Sequence, residues 1–333
     1  MVRSALRRFR SSSASFPPYH LLERDYLEEA QDKWKRLEHL YHKTQTLSWD
    51  GKKVLADLIA KEGGIRIPRD KREHIARIFS VILWGELAAW NVAADLALAL
   101  EDVEAKMAAT GQVFDEARHF YTMRDYLLQL DVDLPPLDGY TQAVLRELLS
   151  TKNLTYKLLG MQLLVENVAV NLFRTIAGAN VEPVLSQLMP YFERDEARHV
   201  GLGVMYLPQM LAALSPLESA RLKIFQLRIN TLIVWGTRLM RPHFEALGID
   251  NNVGIRRGLR MQGETFRELK QVAGEAPKGV LAANSRFEDR LNSLSIDLFF
   301  PPLNVTPPPW QRAMLTGLYR AAQVGDHLLR WIS

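Results

Sequence analysis

The chain of 333 residues contains no cysteine. This absence excludes disulfide bonds, thiolate zinc sites, a cysteine nucleophile and cysteine-ligated iron–sulfur clusters. Any redox chemistry would therefore draw its electrons from another protein or from a small reductant. Hydrophobic residues make up 47% of the chain and charged residues 24%, which are ordinary values for a globular protein with a sizeable core.

A strong excess of one charge and a long uncharged apolar run are also missing. Lysine and arginine number 42 against 38 aspartate and glutamate residues, a net charge of only +4, which does not favour a nucleic-acid partner. No apolar run reaches the roughly 18 to 20 uncharged residues of a membrane span. We therefore expect a cytoplasmic protein without nucleic-acid or membrane partners.

The N-terminal segment 1–22 differs in composition from the rest of the chain. It contains four arginines, five serines and no acidic residue, which is typical of an organellar transit peptide and equally of a loose basic arm. Organellar import is therefore an alternative to the cytoplasmic location.

Apolar residues recur at spacings of three and four over most of the remaining chain, and strand-like alternation is scarce. This periodicity predicts an all-α protein. We expect a basic arm over 1–22, a helical domain over 23–300, and a proline-rich linker with a C-terminal helix over 301–333. The predicted helices are 22–44, 48–62, 71–100, 103–130, 140–150, 153–178, 182–212, 216–247, 254–274 and 308–331.

The most informative feature is an internal repeat. The pentapeptide Asp-Glu-Ala-Arg-His occurs at 115–119 and again at 195–199. Other pairs at the same offset are Glu86 and Glu166, Asn91 and Asn171, and Tyr126 and Tyr206. The repeated unit is therefore a helix pair with a glutamate on its first helix and Glu-x-x-His on its second.

The two acids of each unit are separated by the same stretch of chain, which brings them to the same height. The midpoint between Glu166 and Glu196 falls in Gly-Ala-Asn-Val-Glu-Pro (178–183), where glycine and asparagine suit a helix end and proline suits the next first turn. Two arms of about 15 residues, at about 1.5 Å each, then align the acids on antiparallel helices. In the first unit the midpoint is residue 101, and Asp102 can cap the following helix.

Within each Glu-x-x-His the two side chains share one helix face. Two such hairpins packed together would place four carboxylates and two imidazoles in an apolar interior, where unpaired charges are costly. Two divalent cations would neutralise them, and oxygen and imidazole ligands without thiolate suit iron or manganese. The predicted ligands are Glu86, Glu116, His119, Glu166, Glu196 and His199.

Further residues beside the ligands have predicted supporting roles. Asp115 and Asp195 can accept from the non-ligating nitrogen of a histidine, and Arg118 and Arg198 can hold those carboxylates. A plain ion pair on the surface is the alternative. Tyr126 and Tyr206 are expected to be core residues, with electron relay as the alternative role. Glu193 is expected to be solvated, with a role as a further ligand as the alternative. The remaining neighbours are Gln112 and Gln162, on the inner side, and Trp84, Trp90, Phe114, Phe120, Phe173 and Phe192, which could line a substrate pocket.

The six ligands resemble those of the ferritin-like di-iron superfamily, and Asp-Glu-x-Arg-His resembles the signature of bacterial multicomponent monooxygenase hydroxylases. The resemblance covers residues 70–212 and implies a ferritin-like four-helix bundle with additional N- and C-terminal helices. It implies two iron ions, with a manganese–iron pair as the alternative. The superfamily includes ferritins, rubrerythrins, ribonucleotide reductase small subunits, acyl desaturases and arylamine N-oxygenases, so the fold does not select the reaction.

Departures from individual families narrow the expected function. Storage ferritins are about half this length. A ribonucleotide reductase small subunit would have a radical tyrosine at the position of Met123, and an arylamine N-oxygenase would have an added histidine at Phe192. Multicomponent hydroxylase subunits are usually longer.

We therefore expect a di-iron oxygenase or oxidase that uses dioxygen to hydroxylate, N-oxygenate or desaturate a small organic substrate. It would need an external electron donor such as a reductase or ferredoxin, and it could be a homodimer. The alternatives are a ferroxidase, an oxidase like the ribonucleotide reductase small subunit, and a partner-binding helical scaffold with a structural metal.

Overall fold

The computed structural model describes residues 23–274 and 286–332, and these contain eleven helices and no strand. The all-α prediction is therefore confirmed for this part of the chain; the basic arm lies outside it. The helices are α1 (Arg24–Thr46), α2 (Gly51–Glu62), α3 (Arg69–Ala99), α4 (Val103–Leu128), α5 (Gly139–Ser150), α6 (Leu154–Lys157, Leu158–Val165 and Glu166–Ala179), α7 (Pro183–Ala212), α8 (Pro216–Ala246), α9 (Asn251–Ala273), α10 (Arg286–Phe299) and α11 (Pro309–Ile332).

The observed bounds lie within about three residues of those expected from the periodicity. Two features differ. The helix α10 was not predicted, and the middle segment of α6, Leu158–Val165, is a π-helix. Seven of the eight residues in this segment are buried, so its apolar pattern has no period that could distinguish a π-helix from an α-helix.

Two long helical hairpins, α3–α4 and α6–α7, form the centre of the fold. The second hairpin reverses direction where the sequence predicts. Asn180 ends α6 in the left-handed region with φ 47°, and Pro183 opens α7. Glu182 caps α7, because its carboxylate accepts from the backbone amides of Val184 at 3.2 Å and Leu185 at 2.8 Å.

The reversal of the first hairpin differs in detail. Asp102 occupies the N-cap position of α4 but makes no capping hydrogen bond, so the expected cap is wrong. Its carboxylate instead accepts from Trp34 Nε1 and from the Tyr206 hydroxyl, both at 2.9 Å. The repeat-related Tyr126 hydroxyl donates to Glu182 at 3.2 Å. Each tyrosine therefore ties one hairpin to the turn of the other.

The remaining helices cover these hairpins. α1 packs on α4 and α7, α9 packs on α6 and α7, and α8 packs on α3 and α5. Two apolar clusters form in the interior, one around Leu96, Leu159 and Leu207 and the other around Phe79 and Phe173. On each of the four hairpin helices, the predicted ligands lie between residues of one cluster and residues of the other. Apolar layers therefore enclose their polar atoms on both sides.

α3 is long and apolar enough, by length and composition alone, to cross a membrane, and it is the one such helix among residues 23–274 and 286–332. The core helix of a soluble protein has the same character. Here Ile75, Phe79, Val92 and Leu96 of α3 are buried in the helical core, and α3 also carries the buried Glu86.

Candidate metal centre

The structure brings all six predicted ligands together. They form two overlapping groups in which one potential ligand atom of each residue lies within 4.8 Å of the others. One group contains Glu86 and His119, the other contains Glu166 and His199, and both contain Glu116 and Glu196. All six side chains are buried. Two glutamates are thus shared, and each group has one further glutamate and one histidine of its own.

The histidines direct the same ring atom into the cluster. His119 Nδ1 lies 3.0 Å from Glu196 Oε1 and 3.2 Å from Glu86 Oε2. His199 Nδ1 lies 2.7 Å from Glu196 Oε2 and 3.1 Å from Glu116 Oε1. A single ring nitrogen cannot donate one hydrogen to several carboxylates at once. A cation placed between the nitrogen and these oxygens could, however, bind all of them at once.

The outer ring atom of each histidine meets an aspartate from the opposite hairpin. His119 Nε2 lies 3.2 Å from Asp195 Oδ2, and His199 Nε2 lies 3.3 Å from Asp115 Oδ2. With the hydrogen on Nε2, each imidazole donates to this aspartate and leaves the Nδ1 lone pair free for a cation. The two hairpins therefore orient each other's histidines.

Two buried arginines hold both aspartates in place. Arg118 Nη2 contacts Asp115 and lies 2.7 Å from Asp195 Oδ2. Arg198 Nη2 lies 2.7 Å from Asp115 Oδ2 and 2.8 Å from Asp195 Oδ1. All four side chains are buried, so the surface ion pair considered from the sequence is wrong. The aspartates remain ionised, because the facing histidines and Arg198 lower their pKa more than burial raises it.

Other members of this network, Trp49 and Thr44 among them, lie outside the repeat and are not predicted by it; Thr44 accepts from Arg198 Nε at 3.2 Å. Trp49, in the loop between α1 and α2, donates from its indole Nε1 to Asp195 Oδ2 at 2.7 Å. Its ring also lies under the Arg118 guanidinium, 4.9 Å from the ring centroid. Trp49 lies outside both copies of the repeat, so the repeat carries no signal for it.

The charge balance provides a test of whether metal ions fit. Asp115 and Asp195 are matched by Arg118 and Arg198, which leaves the four buried glutamates without a fixed cationic partner. Glu116 Oε2 and Glu196 Oε1 are buried and meet no donor in hydrogen-bond geometry, although His119 Nδ1 lies 3.0 Å from Glu196 Oε1. Four carboxylates carry a charge that two divalent ions would cancel. The donor set and the unpaired oxygens therefore fit a pair of metal ions.

The pKa shifts show how protons distribute when no cation neutralises the cluster. Burial and then the carboxylate of Glu196 raise the pKa of Glu86 and Glu166 well above the usual value. Burial also raises the pKa of Glu116, but the two histidines lower it more, so that the pKa falls below its usual value. The shared glutamates are thus the anionic partners of the imidazoles, and the outer two glutamates hold their protons to a higher pH than an exposed glutamate does.

The two halves of the cluster are not equivalent. Gln112 Nε2 donates to Glu116 Oε1 at 2.9 Å and to Glu166 Oε1 at 3.0 Å, and Gln162 Nε2 donates to Gln112 Oε1 at 3.2 Å. The position related to Gln112 by the repeat is Phe192. Its ring stacks on His119 with centroids 4.4 Å apart. One half therefore has an amide donor where the other has an aromatic ring.

The backbone differs between the halves as well. Glu86 lies within the regular helix α3, whereas Glu166 directly follows the π-helical segment of α6. This segment lies close to α7 at Gly203, where a Cβ atom would be 2.8 Å from Gln162 Cβ and 2.9 Å from Leu163 Cδ2. Single π-helical turns are frequent at functional sites.

The other predicted neighbours separate into two sets. Phe173 and Phe192 are fully buried, whereas Trp84 and Phe114 are 48% and 57% exposed. Trp84 and Phe114 therefore do not line an interior pocket. Glu193 forms an ion pair with Arg174 at 2.6 Å and is not among the clustered acids. Trp90 and Phe120 are half-buried. Tyr126 and Tyr206 are buried core residues, as expected.

Comparison with known proteins identifies no relative: the chain matches no family model, no curated protein sequence and no solved structure. The class of the site is therefore defined by its own residues, which form a buried carboxylate–histidine cluster able to hold metal ions.

Proposed function

We propose that the protein is a di-metal carboxylate enzyme that uses dioxygen to oxidise a small organic substrate. The observation that carries the proposal is the sharing of Glu116 and Glu196 between two otherwise separate ligand groups. Shared carboxylates hold two ions close together, and each ion then has one outer glutamate and one histidine. Glu86 and His119 would hold one ion, and Glu166 and His199 the other.

The architecture supports placing the protein with the ferritin-like di-iron proteins. The helices α3, α4, α6 and α7 supply a glutamate, a Glu-x-x-His, a glutamate and a second Glu-x-x-His, in the order used by helical-bundle di-metal sites. α1 and α2 precede this core and α8 to α11 follow it. We accordingly propose a ferritin-like four-helix bundle with appended helices.

Iron is the proposed metal, with a manganese–iron pair as the alternative. All six ligands are oxygen or imidazole donors, which these metals accept. A bound pair of reduced iron ions would supply electrons to dioxygen. The chain has no cysteine for an iron–sulfur cluster, so an external reductase or ferredoxin is proposed as the electron source.

The residues of the chain would orient the ligands and exclude water. The crosswise aspartates hold the histidine tautomer, and the arginines keep those aspartates ionised and in place. Phe173, Phe192 and Met123 are fully buried in the apolar layer beside the ligands. Because Met123 stands four residues after His119, no phenol at that position can hold an oxidising equivalent, which favours transfer of oxidation to a substrate.

Metal stoichiometry tests the site itself. We expect about two iron or manganese ions per chain by elemental analysis. Glu166→Ala should retain one of them, because it removes an outer ligand from one group only. Glu116→Ala should lose both, because it removes a shared ligand. Normal binding of two ions by either variant, or no metal in the unaltered protein, would overturn the proposed centre.

The reaction is tested separately. Anaerobic protein loaded with ferrous iron should be mixed with ¹⁸O-labelled dioxygen in the presence of amines, aromatic compounds and fatty acyl compounds in turn. We expect one of these classes of compound to accelerate the decay of the absorption that follows mixing with dioxygen. The same class should give an oxygenated or desaturated product, detected by mass spectrometry. Iron oxidation at a rate unchanged by every compound, with accumulation of ferric mineral, would instead identify a ferroxidase.

A further inference from the structure

The helix α8 has an apolar stripe on its outer side. The stripe consists of Leu217, Ala220, Ile224, Leu227, Thr231 and Val234, and each of these residues is exposed. Its four large aliphatic side chains are between 54% and 68% exposed. No other described residue therefore covers the stripe, which runs for about 26 Å along the helix at about 1.5 Å per residue.

The stripe is separate from the face of α8 that packs on the protein. Leu222, Phe225, Ile229 and Leu239 are buried against the interior, and α8 contacts α3, α5 and α11. An outer helix face is ordinarily polar. α8 is thus apolar on two opposite sides, of which only one has a partner within the described chain.

The spacing of the exposed residues is that of a helix-pairing seam. The steps along the stripe are three, four, three, four and three residues, which is the alternation of the first and fourth positions of a heptad. At the centre of the stripe, Ile224 occupies the first position and Leu227 the fourth, the combination that favours pairing of two helices. The expected occupant is therefore one amphipathic helix.

The charges beside the stripe select the kind of helix. Arg221, Lys223 and Arg228 flank it and are exposed. Arg228 already pairs with Glu147 of α5 at 3.0 Å, so Arg221 and Lys223 are the basic residues that would face a partner. The acid Glu218 is engaged in capping α8, where its carboxylate accepts from Ser215. In a pair of such helices the flanking charges of one face those of the other. A second copy of α8 would bring basic residues together, whereas a helix with acidic flanks would complement them.

We infer that this stripe binds an amphipathic helix with acidic flanks, contributed by another protein. Because α8 packs on α3, the helix that carries Glu86, such a partner would lie one helix layer from the carboxylate–histidine cluster. The inference does not depend on the proposed reaction, since it rests on the outer face of α8 alone.

Two labelled synthetic peptides, each three heptads long, test the inference. Both have leucine at the first and fourth heptad positions; one has glutamate and the other lysine at the flanking positions. In fluorescence anisotropy with the full-length protein, the glutamate peptide should bind saturably and at least about tenfold more tightly than the lysine peptide. Leu227→Asp should weaken this binding by about tenfold or more.

Matched controls distinguish specific binding at the stripe from non-specific hydrophobic binding. Leu328→Asp changes another exposed leucine, on α11, which is 52% exposed, and should leave binding unchanged. The double variant Arg221→Glu with Lys223→Glu should reverse the preference between the peptides. Equal binding of both peptides, or no binding at about 100 µM, would refute the inference. A dimer of the unaltered protein that Leu227→Asp dissociates would equally refute it, because the occupant would then be a second copy.

Discussion

Replacement of Asp195 by asparagine gives the sharpest test of the crosswise arrangement. Asp195 lies on α7, directly before Glu196, so adjacency in the sequence links it to His199. In the structure it instead contacts His119 Nε2 on the opposite hairpin, at 3.2 Å. Asparagine preserves the shape but removes the negative charge that holds the histidine tautomer.

The expected magnitude follows from the role of such a carboxylate. Loss of an outer partner of a ligating histidine weakens metal binding by about 10- to 100-fold, which corresponds to about 1.4 to 2.7 kcal/mol. The folded protein should also be less stable, because Arg118 and Arg198 would then share only Asp115. Breaking a buried ion pair costs about 3 to 5 kcal/mol.

A double-mutant cycle separates the two possible histidines. Metal affinity would be measured by competition with a chelator for the aspartate variant alone, and in His119→Ala and His199→Ala backgrounds. We expect the effect of Asp195→Asn to disappear in the His119→Ala background and to persist in the His199→Ala background. Asp115→Asn is the matched control and should show the reverse. Stronger coupling of Asp195 to His199 would refute the crosswise contacts, and circular dichroism would exclude unfolding as the cause.

Three further predictions concern other parts of the structure. Gln112→Leu should weaken binding of one metal ion more than the other, because it removes the amide donor to Glu116 and Glu166. Phe192→Leu, at the repeat-related position, retains these amide contacts and is the matched control. Titration calorimetry would show whether the two sites separate. Gly203→Ala should destabilise the protein by about 1 to 3 kcal/mol in urea unfolding, because its Cβ would overlap the π-helical segment, whereas a Cβ at Gly201 would lie 3.5 Å from Leu40 and should be tolerated. Burial, and then the neighbouring His74, lowers the pKa of His243 to about 4. On acidification the unfolded chain therefore takes up this proton before the folded chain does, so the free energy of unfolding should fall as the pH falls from 6.5 towards 4, by roughly 1 kcal/mol for this half-exposed group. His243→Gln should remove that dependence.

The sequence predicts the alignment of the candidate ligands within each hairpin because their spacing is a property of helices. Residues three apart share a face, and two acids at equal distances from a turn meet across the hairpin, as Asn180 and Pro183 show. None of this requires knowledge of how the two hairpins pack. The ligand role of the six residues remains a prediction until metal is measured.

The contacts between hairpins could not be predicted in the same way. Asp195 could have faced either histidine, and only the packing of α4 on α7 selects His119. Trp49 enters from a loop with no recurring pattern. The exposure of Trp84 depends on which side of α3 the neighbouring helices cover, since its position on the helix is compatible with either side.

The same packing explains why a duplicated motif need not give two equal metal positions. The repeat supplies identical candidate ligands, but the environment of each half comes from residues in which the copies differ, such as Gln112 and Phe192. Glu86 is held in a regular helix, whereas Glu166 follows a π-helical segment that is pressed against Gly203. A π-helical turn has hydrogen bonds between residues five apart and so shifts the register of the side chains that follow it. We therefore expect the two halves of the cluster to differ in their affinity for a metal ion, although their candidate ligands are of the same types.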